Sequence, residues 1–229
     1  VKLSILMPVY NEAATLETAL ERVLAVDYPC DIELVAVDDG SADATGKILA
    51  ANDDPRLSVH THAVNRGKGA AIATAVAVAV GDYVMMCDAD LEYAPEEIPR
   101  LLGPIMSGEA TVVYGTRTFG SHNAYSYLYV LGNKGVTLAA NLLFNVYISD
   151  LETCFKLVPT QLWRSLDIRS LGFGMEAEVT GKLLRRGIRP YEVPITYKAR
   201  TREQGKKLTW RDGVEALAIL ARERVRTRP

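Results

Sequence analysis

Apolar strand-like runs alternate with helical stretches through the first half of the chain, and this alternation most restricts what it can fold into. Lys2–Pro8, Ile32–Val37, Leu57–His62 and Tyr83–Cys87 read as strands. Between them, Ala13–Ala25, Asp43–Asn52 and Gly69–Val80 read as helices, the first with Leu16, Leu20, Val23 and Leu24 at helical spacing. Pro8, Asp39-Gly40-Ser41 and Asn65-Arg66-Gly67 supply breaker and capping chemistry at the junctions. Strand–helix–strand repetition predicts an α/β fold, a doubly wound and mainly parallel sheet with helices on both faces. Ligands then bind beyond the carboxyl ends of the strands.

Glu96–Met106 continues as a helix after Pro95, and Thr111–Tyr114 as a short strand. After Arg117 the pattern changes. Tyr125–Ile148 reads as a helix interrupted by Gly132 and Gly135. A strand (Cys154–Val158), a helix (Glu176–Arg186), a strand (Arg189–Tyr197), a basic loop and a final helix (Thr209–Arg226) follow. There is no internal repeat or low-complexity linker, and 229 residues suit a single domain spanning 1–229.

No apolar run is long enough to span a bilayer. Ala70–Val80 is 11 residues of small side chains between Lys68 and Asp82, as expected of a buried helix. Val1-Lys2 leads straight into a strand, so no signal peptide is expected. Cys30, Cys87 and Cys154 lie far apart without metal spacing, which points to reduced core thiols in a cytoplasmic protein.

Charge is divided between the halves. Residues 1–115 hold 7 Lys+Arg against 18 Asp+Glu, and residues 116–229 hold 19 against 10. The acidic half suits a metal site and the basic half a phosphate-bearing or anionic-surface partner.

Asp88-Ala89-Asp90-Leu91-Glu92 follows the fourth strand. In an extended segment alternate residues share a face, so Asp88, Asp90 and Glu92 can converge as oxygen ligands for Mg²⁺ or Mn²⁺. Alone, such a cluster is common after a strand. It is accompanied by Pro8-Val9-Tyr10-Asn11-Glu12 after the first strand, Val37-Asp38-Asp39-Gly40-Ser41 after the second, and Asn65-Arg66-Gly67-Lys68-Gly69 before the Ala-rich helix. All fall on one rim, where Tyr10 can stack on a base, a carboxylate can accept from a base N–H, and Lys68 can face phosphate. Each cluster also has a structural reading: Asn11 as a cap, Asp39-Gly40 as a tight turn, Gly67 and Gly69 as chain-reversal residues.

Taken in order, PVYNE, VDDGS, NRGKGAA and DADLE resemble family 2 glycosyltransferases of the GT-A (Rossmann-like) fold. With GTR (Gly115-Thr116-Arg117), LGNKGVTLAANLLFN, SDLETCFK and RTREQGKK, the chain is most similar to the dolichyl- or polyprenyl-phosphate sugar synthases, the dolichol-phosphate mannose synthase-like group. The resemblance implies a metal-dependent, inverting hexosyltransferase. It would move mannose or glucose from GDP-mannose or UDP-glucose to a polyprenyl phosphate, and would not bind nucleic acid. Residues 1–115 would form the nucleotide-sugar half and 116–229 the acceptor half. Pro8, Tyr10, Glu12, Val37 and Asp39 match the donor-base pocket, and Asp88, Ala89 and Asp90 match the metal and diphosphate segment. Arg117, Arg200 and Lys206 match residues that grip phosphate, and Asp150 falls near the reacting sugar. Asp90, Arg117 and Asp150 are thus the catalytic candidates. One departure is Glu92, where many members carry Gln.

A phosphate nucleophile is already anionic near neutral pH and needs positive groups more than a general base. Were the acceptor a hydroxyl, Glu176 or Glu178 would be the base; both also read as exposed acids favoured at a helix start. A nucleotide-sugar-binding module without turnover is a further alternative, and the acceptor-gripping cations argue against it. His60, His62 and His122 read as surface or sheet-end residues, and Trp163 and Trp210 as packing residues. Tyr125–Ile148 and the basic stretch 200–229, with 9 Lys+Arg against 4 Asp+Glu, read equally as an interfacial contact at the inner face of an anionic membrane or as a core helix and a charged tail.

Overall fold

The structure is a computed structural model, which describes residues 1–120, 122–123, 127–200 and 209–225. Strands β1 (Lys2–Val9), β2 (Asp31–Asp38), β3 (Leu57–Thr61) and β4 (Tyr83–Met86) alternate with helices α1 (Leu16–Ala25), α2 (Thr45–Ala51) and α3 (Lys68–Val78). A short 3-10 turn (Pro95–Glu97) leads into α4 (Ile98–Met106), followed by β5 (Val113–Thr116), β6 (His122–Asn123) and α5 (Tyr127–Phe144). The last elements are β7 (Lys156–Pro159), α6 (Thr160–Ser165), α7 (Met175–Arg185), β8 (Tyr191–Pro194), β9 (Tyr197–Lys198) and α8 (Trp210–Val225).

The main sheet has seven strands in the order β3-β2-β1-β4-β7-β5-β8, and the first four are mutually parallel, as the alternation predicts. β7 runs antiparallel to both β4 and β5, while β8 is parallel to β5. The start of β7 therefore lies at the same rim as the carboxyl ends of β4 and β5, with Leu157 opposite both Met85 and Val113. β6 and β9 form a separate two-stranded pair.

The core sits around the sheet. α1 buries Leu16, Ala19, Leu20 and Val23 at helical spacing, and each larger apolar side chain buried there is worth about 1.5–3 kcal/mol. α3 packs on β1 and β2 through alanines, whose small side chains let the helix lie close. A second cluster joins α5, α7 and α8 through Val136, Ala140, Ala177, Leu184, Ala216 and Leu220.

Several expectations are corrected. The expected strand Arg189–Tyr197 is divided into β8 and β9, and α6 was not foreseen. Gly132 and Gly135 do not interrupt α5, which runs through both. Trp163 is buried as expected, but Trp210 opens α8 largely exposed. Glu176 and Glu178 are not exposed acids: both are buried in α7. The thiols of Cys30, Cys87 and Cys154 are free as expected, but Cys30 is only partly buried.

Candidate active site

β1 and β2 end level, while β4 ends opposite Leu6 and the chain beyond it continues beside the end of β1. Val9 pairs with Asp38, the Asp39 N–H donates to the Val9 carbonyl (2.8 Å), and the Cys87 N–H to the Leu6 carbonyl (2.9 Å). The loops beyond them are stitched together. Asn11, at φ +52°, donates its N–H to Ser41 Oγ (2.9 Å) and accepts from the Ala42 N–H (2.9 Å). The Glu12 N–H donates to Thr45 Oγ1 (3.1 Å).

Asp39 is buried, and its oxygens are occupied by the loop that carries Lys68. Oδ1 accepts from the Arg66 N–H (3.0 Å) and Oδ2 from the Gly67 N–H (2.7 Å), while His62 Nδ1 lies 2.6 Å from Oδ1. Its position organises the loop. Val37 is fully buried in β2 and Ala89 nearly so, whereas Pro8, Tyr10 and Glu12 are partly open at the rim. His62, expected at a sheet end, is there but buried, with Nε2 2.9 Å from Thr74 Oγ1. Gly67 (φ +96°) and Gly69 let the start of α3 press against residues 170–172. A Cβ would come within 2.4 Å of the Leu171 carbonyl oxygen at Gly67 and 2.0 Å of the Ser170 carbonyl oxygen at Gly69.

That approach sets Lys68 between two carboxylates. Its Nζ lies 2.8 Å from Asp88 Oδ2 and 2.9 Å from Glu176 Oε1, joining the first half of the chain to α7. Asp90 accepts from the Glu92 N–H (3.0 Å) at one oxygen and from Arg200 Nη2 (3.0 Å) at the other. Burial, with Asp88 and Glu92 nearby, pushes the Asp90 carboxyl up to about 7. Arg200 also reaches Glu12 Oε2 (3.0 Å), so one guanidinium spans the base-side and metal-side acids.

Glu92 departs from the expected three-carboxylate set. It accepts from the Tyr197 hydroxyl (2.5 Å) and the Arg200 N–H (2.8 Å), and it positions the segment that delivers Arg200. Among the described residues no three His, Cys, Asp or Glu side chains gather as a metal centre. Asp88 and Asp90 remain, and they fit a divalent cation. Both are hard oxygen donors, and Mg²⁺ or Mn²⁺ commonly takes one or two carboxylates with phosphate oxygens completing its shell.

The second half contributes a separate cationic group. Arg117 grips Asp150 as a fork, Nε to Oδ2 at 2.6 Å and Nη2 to Oδ1 at 2.7 Å, and its N–H also donates to Oδ2 (3.1 Å). Its guanidinium lies over the Tyr197 ring, 4.9 Å from the centroid. Arg117 lowers the Asp150 carboxyl in spite of burial. Asp150 thus stands behind Arg117 as its orienting partner. Lys206 lies outside the described residues. Tyr197 and Glu152, which sit among these groups, were not anticipated; no spacing in the sequence marks Tyr197, and Glu152 lies inside SDLETCFK unnoticed between Asp150 and Lys156.

The description Glycosyl transferase family 2 matches residues 4–160. The chain belongs to that family. Among curated relatives, this family 2 chain is 30% identical over 205 residues to the low-salt glycan biosynthesis hexosyltransferase Agl6 of Haloferax volcanii, covering 88% of this chain and 49% of that protein. It is 27% identical over 212 residues to a dolichol-phosphate mannosyltransferase of Pyrococcus furiosus, covering 90% of this chain and 59% of the relative. It is 42% identical over 106 residues to an undecaprenyl-phosphate 4-deoxy-4-formamido-L-arabinose transferase of Pectobacterium carotovorum, covering 43% and 32%. The chain thus spans about half the length, or less, of the first curated relatives it matches. A solved structure of glucosyl-3-phosphoglycerate synthase from Mycobacterium tuberculosis shares the fold at TM-score 0.74 and 22% identity, covering 97% of this chain and 79% of that one. The family 2 membership and this likeness bear out the expected glycosyltransferase fold.

Proposed function

We propose that this chain is the transferring part of an inverting glycosyltransferase that moves a hexose from a nucleoside diphosphate sugar to a polyprenyl phosphate. The observation that carries this is the pair of separate cationic groups flanking Asp88 and Asp90. Lys68 pairs with Asp88 and Arg200 with Asp90, while Arg117 stands with Asp150 over the Tyr197 ring. A donor diphosphate and an acceptor phosphate are two anions, and each needs its own positive partner. The curated relatives named as dolichol- and undecaprenyl-phosphate transferases support the same acceptor class.

Tyr10 and Glu12 stand at the rim to meet the nucleoside, with Asp39 holding the neighbouring loop in shape. Asp88 and Asp90 would hold Mg²⁺ or Mn²⁺, which supplies positive charge for the leaving diphosphate. Lys68 adds a fixed charge beside that position, preorganised by Asp88 and Glu176. Arg117, aimed by Asp150, orients the acceptor phosphate, and Arg200 can turn from Asp90 and Glu12 towards either anion. The acceptor oxygen attacks the anomeric carbon from the face opposite the leaving group, which inverts that centre.

Both acids expected as the base for a hydroxyl acceptor, Glu176 and Glu178, are held by lysines. Glu178 is fully buried, paired with Lys182 at 2.6 Å, and accepts from the Arg169 and Ser170 N–H groups (3.0 and 2.7 Å). Glu176 is engaged by Lys68. The deciding experiment is steady-state transfer from GDP- and UDP-hexoses with Mn²⁺ to a short polyprenyl phosphate, with the matching polyprenol as control. An acid-labile product from the phosphate alone is expected; equal use of the alcohol would overturn the acceptor assignment.

α5 and α8, packed together, each expose an apolar stripe: Tyr127, Leu131, Leu138 and Leu142 on one, Trp210, Val214, Leu217 and Val225 on the other. Lys134, Arg211, Arg222 and Arg224 are exposed on the same two helices. No described helix is long and apolar enough to cross a membrane. The stripes and charges fit docking on an anionic lipid surface, where a polyprenyl phosphate resides.

A further inference from the structure

Two carboxyl oxygens near the centre of the site are buried without partners. Glu176 uses Oε1 to hold Lys68 at 2.9 Å, while its Oε2 is enclosed and accepts nothing. Glu152 makes no ion pair with any described residue, and its Oε1 is likewise enclosed and unpartnered. Lys156 would be the obvious counter-ion. It donates instead to the Leu151 carbonyl (2.8 Å) and the Thr153 carbonyl (2.5 Å), and it lies over the Tyr114 ring at 4.9 Å. Burial, and then the proximity of Glu176, raise the Glu152 carboxyl to about 7, against the opposing pull of the nearby Lys156 and Arg117 charges.

An enclosed carboxyl oxygen with nothing to accept from is costly, and at a substrate site a donating ligand group can complete it. Two carboxylates close enough to feel each other's charge disfavour phosphate, so the ligand there donates hydrogen bonds and is not an anion. The location narrows it further. Glu176 is tied through Lys68 to Asp88, on the donor-diphosphate side, and Glu152 follows Asp150, which aims the acceptor-side Arg117. Between the two phosphate positions lies the group being transferred, and a hexose presents hydroxyl donors along its edge.

We propose that Glu152, with the free oxygen of Glu176 beside it, accepts hydrogen bonds from hydroxyls of the transferred sugar and sets which hexose is used. This rests on the glycosyltransferase function proposed above. The test compares wild type with Glu152→Gln and Glu152→Ala by calorimetric titration, using UDP, GDP, and their glucose and mannose conjugates, all with Mn²⁺. Wild type binds a matching nucleotide sugar more tightly than the bare nucleoside diphosphate. Glu152→Gln is expected to keep its affinity for the diphosphate within about twofold while losing at least about tenfold of the sugar-dependent gain. Donors lacking single hydroxyls complete a double-mutant cycle, in which removal of the hydroxyl that meets Glu152 weakens wild type but not the variant. A Glu152→Gln protein that retains the full gain and the same glucose-to-mannose preference overturns this role and leaves the transferase function standing. A wild type that binds neither nucleotide sugar nor diphosphate overturns both. Should Glu152→Ala fail to fold, the isosteric Gln variant and the deoxy-donor cycle still decide.

Discussion

Arg200 and Asp90 face each other across the site, guanidinium Nη2 to carboxylate Oδ2 at 3.0 Å, although 110 residues separate them in sequence. The same guanidinium holds Glu12. It therefore occupies charge that a divalent cation would otherwise neutralise. Arg200→Gln should tighten binding of Mn²⁺ to the donor-free protein while lowering transfer. Titration of Mn²⁺ followed calorimetrically checks this, and unchanged or weaker affinity would count against the competition.

Lys68 is the counter-charge of the buried Glu176 and the partly buried Asp88, so Lys68→Met leaves both carboxylates without it. Breaking a fully buried pair from one side costs about 3–5 kcal/mol, and the partial exposure of Lys68 and Asp88 places this loss towards the lower end, which urea unfolding would register. Saturating Mn²⁺ should recover part of that loss in the variant, because it neutralises Asp88. A variant as stable as wild type without metal would show that the bridge is dispensable.

Arg117 and Asp150 form a bidentate fork, and Lys cannot reproduce one. Arg117→Lys should raise KM for the polyprenyl phosphate while leaving KM for the nucleotide sugar nearly unchanged, and Arg117→Ala should reduce transfer further. Asp150→Asn keeps the shape but weakens the grip on Arg117, so its defect should fall on the same substrate. Equal defects on both substrates would remove Arg117 from the acceptor side.

The Glu152 carboxyl sits near 7 in the folded protein, against about 4.3 for an unperturbed glutamate. Between these values the folded state binds more protons than the unfolded. Stability held below about pH 4 is therefore lost as pH rises through about 7. Asp90 is raised in the same direction and contributes in the same window. Glu152→Gln should flatten the decline without abolishing it, as measured by chemical denaturation of the ligand-free protein at a series of pH values. A slope identical to wild type would show that Glu152 does not titrate there.

Lys134, Arg211, Arg222 and Arg224 beside the apolar stripes of α5 and α8 predict sedimentation with anionic vesicles at low salt and release at high salt, since the screening length shortens to a few ångströms near 1 M. Trp210→Ser with Leu142→Ser should weaken vesicle binding and leave nucleotide binding intact. Equal binding to neutral and anionic vesicles would remove the electrostatic part.

Much of the site was legible because it depends on local chemistry. The clusters Pro8–Glu12, Asp38–Ser41 and Asp88–Glu92 each follow a strand, and parallel strands end on one rim. What was not legible is the use of each side chain. Asp39 and Glu92 carry the same charge as Asp88 and Asp90, yet they accept from the Arg66 and Gly67 N–H groups and from Tyr197 and the Arg200 N–H. Short-range pattern records that a carboxylate is present; only the chain packed opposite it decides whether it is free for a ligand. For the same reason Glu176 and Glu178 read as exposed acids at a helix start, while α8 and the start of α3 bury that helix.

The amino-acid sequence by itself determined the alternating elements, the rim on which the polar loops gather and the family to which the chain belongs, because apolar periodicity, turn residues and ordered motifs are local properties. The tertiary structure alone decided where the second half meets the first. β7 enters antiparallel between β4 and β5, a reversal no periodicity encodes, and its leading segment thereby brings Asp150 and Glu152 to the ligand rim. The ion pairs Lys68–Glu176 and Arg200–Asp90 then join residues 108 and 110 positions apart, because buried charges take their partners from whatever the fold places beside them.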